Sequence, residues 1–109
     1  KRLIFLSGFG AGETLVQASL IQKIIFKTFL HNIYRDKAKA EQTIRSSNLD
    51  WTLVYPVKLN NKPATGNYKA GERFTMKGSP EISRADVADF MLTQLSSNLF
   101  LKKGVVLMD

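Results

Sequence analysis

The sequence predicts an α/β fold in which parallel strands alternate with helices. Three apolar runs carry this prediction: residues 1–7 end at a glycine-rich turn, residues 50–55 end at Pro56, and residues 104–108 lie last in the sequence. Short apolar runs bounded by glycine or proline are typical of buried strands. Stretches of helical spacing separate the runs, and strands separated by helices are joined by parallel crossovers.

The first strand is predicted over Lys1–Ser7. Such a continuous apolar run belongs in the middle of a parallel sheet, with helices on both faces. A chain that opens on it is expected to lack an upstream segment, so residues 1–109 are expected to form a single partial domain. The exposed edge of that strand would then favour self-association into a homo-oligomer.

Two helical stretches follow the first strand. Apolar residues recur at helical spacing over residues 13–34, with a face wide enough for a packed or interface helix, which offers a second route to a homo-oligomer. Residues 36–47 form a second predicted helix, in which alanines and Ile44 alternate with charged side chains.

The last third of the chain is predicted as a loop, a helix and a strand. Glycines, Pro63 and Asn61 make residues 60–79 an irregular loop, with short strands expected around Tyr68 and Phe74. Ser83 is expected to cap a third helix over residues 84–96. The residues expected on the inner side of that helix are Val87, Phe90, Met91, Leu92 and Leu95.

Composition restricts the kinds of site that this chain can build. Of its 109 residues 44% are hydrophobic and 23% charged, which is ordinary for a globular protein. There is no cysteine, so disulfides and thiolate metal sites are excluded, and one histidine, His31, rules out a multi-histidine site. No metal site is expected, and the lack of cysteine fits a cytoplasmic location.

The net charge of +7 favours anionic partners such as nucleic acid, phosphates or acidic lipid. The basic residues are scattered along the chain and form no run or recognised nucleic-acid motif, so nucleic acid ranks last among the candidate partners. No stretch reaches the roughly 18 uninterrupted apolar residues of a membrane helix, and no membrane partner is expected.

The glycine-rich turn after the first strand resembles a dinucleotide fingerprint but does not match it. The sequence Ser7-Gly8-Phe9-Gly10-Ala11-Gly12 would need a further glycine at position 13, where Glu13 stands. No second strand with an acidic ribose ligand follows within about 20 residues, as the fingerprint requires. The glycines instead favour a loop that passes close to a ligand at the carboxyl end of the strand, where open α/β sheets bind their ligands.

Several segments resemble a known family in both order and spacing. They are Leu6-Ser7-Gly8, residues 36–41, residues 47–56, residues 63–68 and residues 82–90. Together they resemble the atypical short-chain dehydrogenase/reductase group, in particular its NmrA-like and flavin or biliverdin-IX-beta reductase-like members. The resemblance implies the C-terminal part of a doubly wound parallel Rossmann-type sheet, whose upstream half would bind most of an NAD or NADP molecule.

The resemblance also implies a set of site residues. Ser7, with Gly8 and Phe9, would lie beside the nicotinamide, where the Ser7 hydroxyl could bind a substrate carbonyl; a small residue chosen for a tight turn is the alternative. Lys37 lies four residues before Glu41, at the spacing of the family's ribose-binding lysine; a solvated helix lysine is the alternative. Ser7 and Lys37 are the candidate catalytic residues. The segment Pro56, Val57, Lys58 and Leu59 would lie along the nicotinamide face.

The sequence departs from the family pattern at the proton donor. The family's tyrosine stands four residues before the lysine, which here is Ile33, and Tyr34 lies about 100° further round a regular helix. Three functions therefore remain open. The first is an NAD(P)H-dependent reductase of a flavin, quinone or similar flat acceptor; the second is an NmrA-like NAD(P) sensor without turnover; the third is a basic nucleic-acid-binding domain.

Overall fold

A computed structural model describes residues 2–9, 19, 22, 31–76 and 78–109, without the side chains of residues 31–35. Two helices and six strands lie in these ranges. In chain order they are β1 (Arg2–Leu6), α1 (His31–Arg45), β2 (Asp50–Pro56), β3 (Lys58–Asn60), β4 (Lys69–Gly71), β5 (Glu81–Ser83), α2 (Arg84–Gln94) and β6 (Lys103–Met108).

The main sheet has four strands in the order β1-β2-β6-β4. Strands β1, β2 and β6 are parallel, which confirms the predicted α/β fold with a mostly parallel sheet. Strand β4 adds an antiparallel edge, and β3 pairs with β5 in a separate parallel two-stranded sheet. Neither β3 nor β5 was predicted, because three residues are too few to show a periodic pattern.

The two helices lie on opposite faces of the main sheet. The guanidinium of Arg45 in α1 lies 5.0 Å from the ring centre of Trp51 in β2. The next residue of that strand, Thr52, accepts a hydrogen bond from Arg2, which also donates to the carbonyl oxygen of Gln94 at the end of α2. Successive strand residues point to opposite faces, so α1 covers one face and the end of α2 the other.

Strands β2 and β6 form the centre of the core because both of their faces are covered. Leu53, Val54, Val105, Val106 and Leu107 are fully buried. Val87 and Phe90 from α2 join the same cluster. The continuous burial of β2 confirms the buried strand predicted there. Strand β1 was also predicted to be buried but is only half-buried, because among the described strands it lies at the end of the sheet.

The helix boundaries differ from those predicted. Helix α1 runs without a break from His31 to Arg45, so the predicted separation between residues 34 and 36 is wrong. Arg35 and Asp36 are compatible with a helix, and only a proline or glycine there would have forced a stop. Most of the predicted helix over residues 13–34 lies outside the described residues. No strand forms around Phe74, which instead packs against the core near Gly71.

Helix α2 presents a narrower inner face than predicted. Val87, Phe90 and Gln94 are buried at spacings of three and four residues. Leu92 and Leu95 are 67% and 59% exposed, so their predicted inner position is wrong. Each residue advances about 100° round a helix, which turns Leu92 some 200° from Phe90.

Ser83 caps α2 as predicted. Its hydroxyl accepts a hydrogen bond of 3.0 Å from the amide of Asp86. This bond satisfies one of the amides that the first turn of a helix leaves without a partner. Neither of the helices in the described ranges is long and apolar enough to cross a membrane.

Candidate functional site

The turn after β1 is fixed to the carboxyl end of β2. The amide of Ser7 donates to the carbonyl oxygen of Val54 at 2.8 Å, and the amide of Phe9 donates to that of Pro56 at 2.9 Å. Ser7 and Phe9 are buried, with half-buried Gly8 between them. The ladder between the two strands therefore continues past the end of β1 and holds this turn at the sheet edge where such folds bind ligands.

The hydroxyl of Ser7 donates to a buried carboxylate, that of Glu41 in α1. The distance from Ser7 Oγ to Glu41 Oε2 is 2.7 Å, and Glu41 is 3% exposed. The hydroxyl of Tyr55 in β2 donates to the other oxygen, Oε1, of the same carboxylate. Arg45 Nη2 lies 3.3 Å from the Tyr55 oxygen and donates to it. We call Ser7, Glu41, Tyr55 and Arg45 the Glu41 network.

Burial raises the pKa of Tyr55 well above its ordinary value, and its hydrogen bond to Glu41 raises it further. Arg45 acts in the opposite direction with a smaller effect. Tyr55 is therefore protonated at neutral pH and serves as a permanent hydrogen-bond donor to Glu41.

Lys37 lies one helical turn before Glu41 and on the same face of α1, because residues four apart are neighbours on a helix surface. Helix α1 runs antiparallel to β2: Arg45 lies over Trp51 near the start of the strand, and Glu41 contacts Tyr55 near its end. The next turn toward the start of α1 therefore carries half-buried Lys37 toward the carboxyl edge of the sheet, on the side of Ser7.

Three of the four side chains in the segment Pro56 to Leu59 pack toward the core. The amide of Val57 donates to the carbonyl oxygen of Leu107 at 3.1 Å, and Val57 is buried. Leu59 packs against the core. Lys58 is exposed, and its Nζ atom lies 4.0 Å from Glu81 Oε2. Of the four residues in this predicted cofactor-binding segment, Lys58 is thus the one whose side chain is exposed.

Asp86 anchors the exposed loop of residues 61–67 to the start of α2. Its carboxylate accepts hydrogen bonds from the amides of Thr65 and Gly66, both at 3.1 Å, and from the hydroxyl of Ser83 at 3.0 Å. Gly66 has φ = +70°, a conformation that favours glycine. Burial by itself would raise the pKa of Asp86, but these hydrogen bonds lower it below its usual value.

The structure thus brings several predicted site residues together. Ser7, Gly8, Phe9 and Pro56 meet in one backbone-bonded unit, and Ser7 also bonds to Glu41, which lies one helical turn after Lys37. Glu41 and Tyr55 were not predicted as part of the site. A single glutamate on a helix with other charged residues is normally solvated, so nothing in the local pattern indicated that this one is buried.

A mostly parallel sheet whose first turn is fixed at the carboxyl edge has the architecture of the α/β proteins that bind ligands at that edge. A family model described as NAD(P)H-binding matches residues 1–98. The chain belongs to that NAD(P)H-binding family.

Three known proteins illustrate the relationship. The UPF0659 protein YMR090W of Saccharomyces cerevisiae is 32% identical over 83 residues, which cover 73% of this chain and 37% of the yeast protein. The structure of ChuY, an anaerobilin reductase from Escherichia coli, superposes with a TM-score of 0.80 at 23% identity, over 98% of this chain and 49% of ChuY. A candidate NADH-flavin reductase from Streptococcus pneumoniae superposes with a TM-score of 0.76 at 26% identity, over 99% of this chain and 55% of its own.

The likeness to ChuY shows the fold, and the chain spans about half the length of the solved structures it matches. A further structural relative, a short-chain dehydrogenase/reductase from Veillonella parvula, was solved in complex with NADP.

Proposed function

We propose that this chain forms the nicotinamide and acceptor side of an NAD(P)H-dependent reductase, as part of a longer protein. The observation that carries the proposal is the hydrogen bond from Ser7, at the carboxyl edge of the sheet, to Glu41, which lies one helical turn after Lys37. The acceptor is a flavin, a quinone or a similar flat molecule. The relatives named as reductases of anaerobilin and of flavin support this choice.

The residues at this edge fit a nicotinamide dinucleotide. Lys37 supplies a cation that can donate to ribose hydroxyls. Gly8 has no side chain, and the bonded backbone on either side of it gives a fixed wall for a flat ring. When bound, the reduced nicotinamide would supply a hydride, and the chemistry would belong largely to the cofactor. The residues of this chain would bind and orient it.

This chain has Ile33 where the family has its proton-donating tyrosine. Among the tyrosines whose side chains are described, neither Tyr55 nor Tyr68 is suited to replace it. Tyr55 is fully buried and holds its proton strongly, and the pKa of Tyr68 is about 12 because of burial and its hydrogen bond to Asp89. A general acid works best when its pKa is near the operating pH. This is why we propose a flat acceptor such as a flavin, whose reduction needs less help from a protein acid.

The same observation supports a second candidate, an NAD(P) sensor that binds the dinucleotide without turnover. Sensing requires binding and a change of shape, but no proton donor. Tight binding of NAD(P)H by the full-length protein, with no oxidation on a panel of flavins and quinones, would select the sensor over the reductase.

The primary experiment measures NAD(P)H oxidation with free flavin, and NAD(P)H affinity by calorimetry, on the full-length protein. Lys37→Ala should weaken affinity about ten-fold or more, because a hydrogen bond from a charged group contributes about 1.5–3 kcal/mol. Lys39→Ala is the matched control, since Lys39 is exposed on the same helix. Unchanged affinity in Lys37→Ala would overturn the assignment of Lys37, and no binding of either dinucleotide would overturn the proposal.

The 109-residue chain alone is expected to bind NADPH weakly or not at all, because the proposed site lacks the phosphate-binding turn of a dinucleotide fingerprint. Calorimetry on this chain tests the expectation directly. Micromolar affinity would show that the residues named above hold the dinucleotide without an upstream half.

A further inference from the structure

The buried carboxylate of Glu41 binds two neighbouring strand ends at once. One oxygen accepts from Ser7 just after β1, and the other accepts from Tyr55 in β2. These contacts join residues 34 and 14 positions apart in the chain. They fix one point of α1 relative to the ends of both strands.

An apolar side chain would also hold α1 against the sheet, and without the cost of burying a charge. Apolar contact is non-directional, however, and leaves the helix some freedom to slide and rotate. Two hydrogen bonds in different directions remove that freedom. The network at Glu41 is therefore suited to setting the position of α1 rather than to adding stability.

The group whose position matters most is Lys37, one turn further toward the carboxyl edge of the sheet. A shift or rotation of α1 would move the Lys37 backbone by the same amount, while Ser7 would stay with the sheet through its amide bond to Val54. The relative placement of Lys37 and Ser7 thus depends on the carboxylate that lies between their elements.

We propose that Glu41 is a positioning residue, which holds Lys37 and Ser7 in register at the dinucleotide site without itself touching the dinucleotide. The inference rests on the proposed function, because it assigns Glu41 a role through Lys37. It predicts that substitutions of Glu41 change the affinity for the dinucleotide only in variants that retain Lys37.

A double-mutant cycle on the full-length protein tests the proposal, with NADPH affinity measured by calorimetry. Glu41→Gln keeps the size of the side chain but leaves one amide nitrogen where a carboxylate oxygen accepted a bond. It should weaken binding about three- to ten-fold, as expected for coupled neighbours. In the Lys37→Ala background the same change should have almost no further effect, whereas in the Lys39→Ala background it should keep its full effect.

Tyr55→Phe provides a second route if Glu41→Gln fails to fold, because it removes one of the two bonds and keeps the ring in the core. It should give a smaller loss of affinity with the same dependence on Lys37. Thermal unfolding of each variant shows whether it is folded at the assay temperature. Only variants that are folded enter the double-mutant cycle.

Two results would overturn the proposal, and they are distinguishable. An equal loss from Glu41→Gln with and without Lys37 would show that Glu41 acts on the whole domain, leaving the proposed function intact. Unchanged NADPH affinity in Lys37→Ala would show that Lys37 does not bind the dinucleotide. The positioning role of Glu41, which acts through Lys37, would then also be wrong.

Discussion

The carboxylate of Asp86 accepts the amide hydrogen of Gly66 at 3.1 Å, across 20 residues of sequence. The same side chain accepts from the amide of Thr65 and from the hydroxyl of Ser83. One carboxylate thus ties an exposed loop, a short strand and the first turn of α2 together. Because the loop of residues 61–67 is exposed throughout, it depends on such bonds to α2, to which Arg84 adds one by donating to Asn61 at 2.6 Å.

Asp86→Asn should loosen that loop. Both amides donate to Oδ1, which asparagine keeps only as an uncharged and weaker acceptor, and the bonds from the hydroxyls of Thr65 and Ser83 to Oδ2 are lost. The amides of Thr65 and Gly66 should therefore exchange their hydrogens faster, by about ten-fold. Amide exchange followed by nuclear magnetic resonance measures this directly. Asp89→Asn is the control, because Asp89 lies on the same helix but binds Tyr68. Equal protection of both amides in the two variants would contradict the anchoring role.

The Asp86 interactions also predict a pH dependence. A carboxyl group whose folded pKa is lowered stabilises the fold above its unfolded pKa, and this contribution is lost as the pH falls through the folded value. For Asp86 the loss should therefore begin near the ordinary value of 3.8 and continue below it. Urea unfolding at several acidic pH values should show a weaker dependence for Asp86→Asn than for the unaltered protein; parallel curves would contradict this.

Tyr68 should ionise with a pKa of about 12, raised first by burial and then by its hydrogen bond to Asp89. The stability that follows from this shift is present below the ordinary value of 10.0 and is lost as the pH rises toward 12. The absorbance titration of the protein minus that of Tyr68→Phe isolates this group. Asp89→Asn should lower the pKa without restoring 10.0, because burial remains; a pKa of about 10 in the unaltered protein would refute the prediction.

Phe90 and Leu92 are a matched pair for testing which face of α2 is buried. Phe90 is 4% exposed, with ring centres of Tyr68 and Phe100 at 6.1 and 6.0 Å, whereas Leu92 is 67% exposed. Phe90→Ala should lower the free energy of unfolding by about 3–5 kcal/mol. Leu92→Ala should change it by less than about 1 kcal/mol. Similar losses in urea unfolding would mean that both faces of α2 are covered.

The outer edge of β1 should make the 109-residue chain self-associate. Among the described strands β1 lies at the end of the main sheet, and Leu6 at its carboxyl end is 40% exposed. An unpaired edge with apolar side chains pairs readily with another strand. Leu6→Lys should shift the sedimentation profile toward monomer, whereas Leu99→Lys, at another exposed leucine, should not. A monomeric profile of the unaltered chain would contradict the prediction.

The sequence by itself determined the three parallel strands, the helical character of residues 36–45 and the cap at Ser83. Each of these features is indicated by a pattern within a short stretch of sequence: an apolar run, a helical spacing, or a serine before a helix. The family-like segments also predicted Ser7 and Lys37 as site residues, and this stays a prediction. These patterns predict structure correctly because the interactions that cause them act between residues close together in the chain.

Only the tertiary structure decided that Glu41 is buried and shared by Ser7 and Tyr55, that Leu92 and Leu95 face outward, and that β3 pairs with β5. A glutamate is buried only where partners from distant segments satisfy both of its oxygens. The inner face of α2 is set by the angle at which it meets the sheet. These outcomes depend on contacts across tens of residues, for which no local pattern exists.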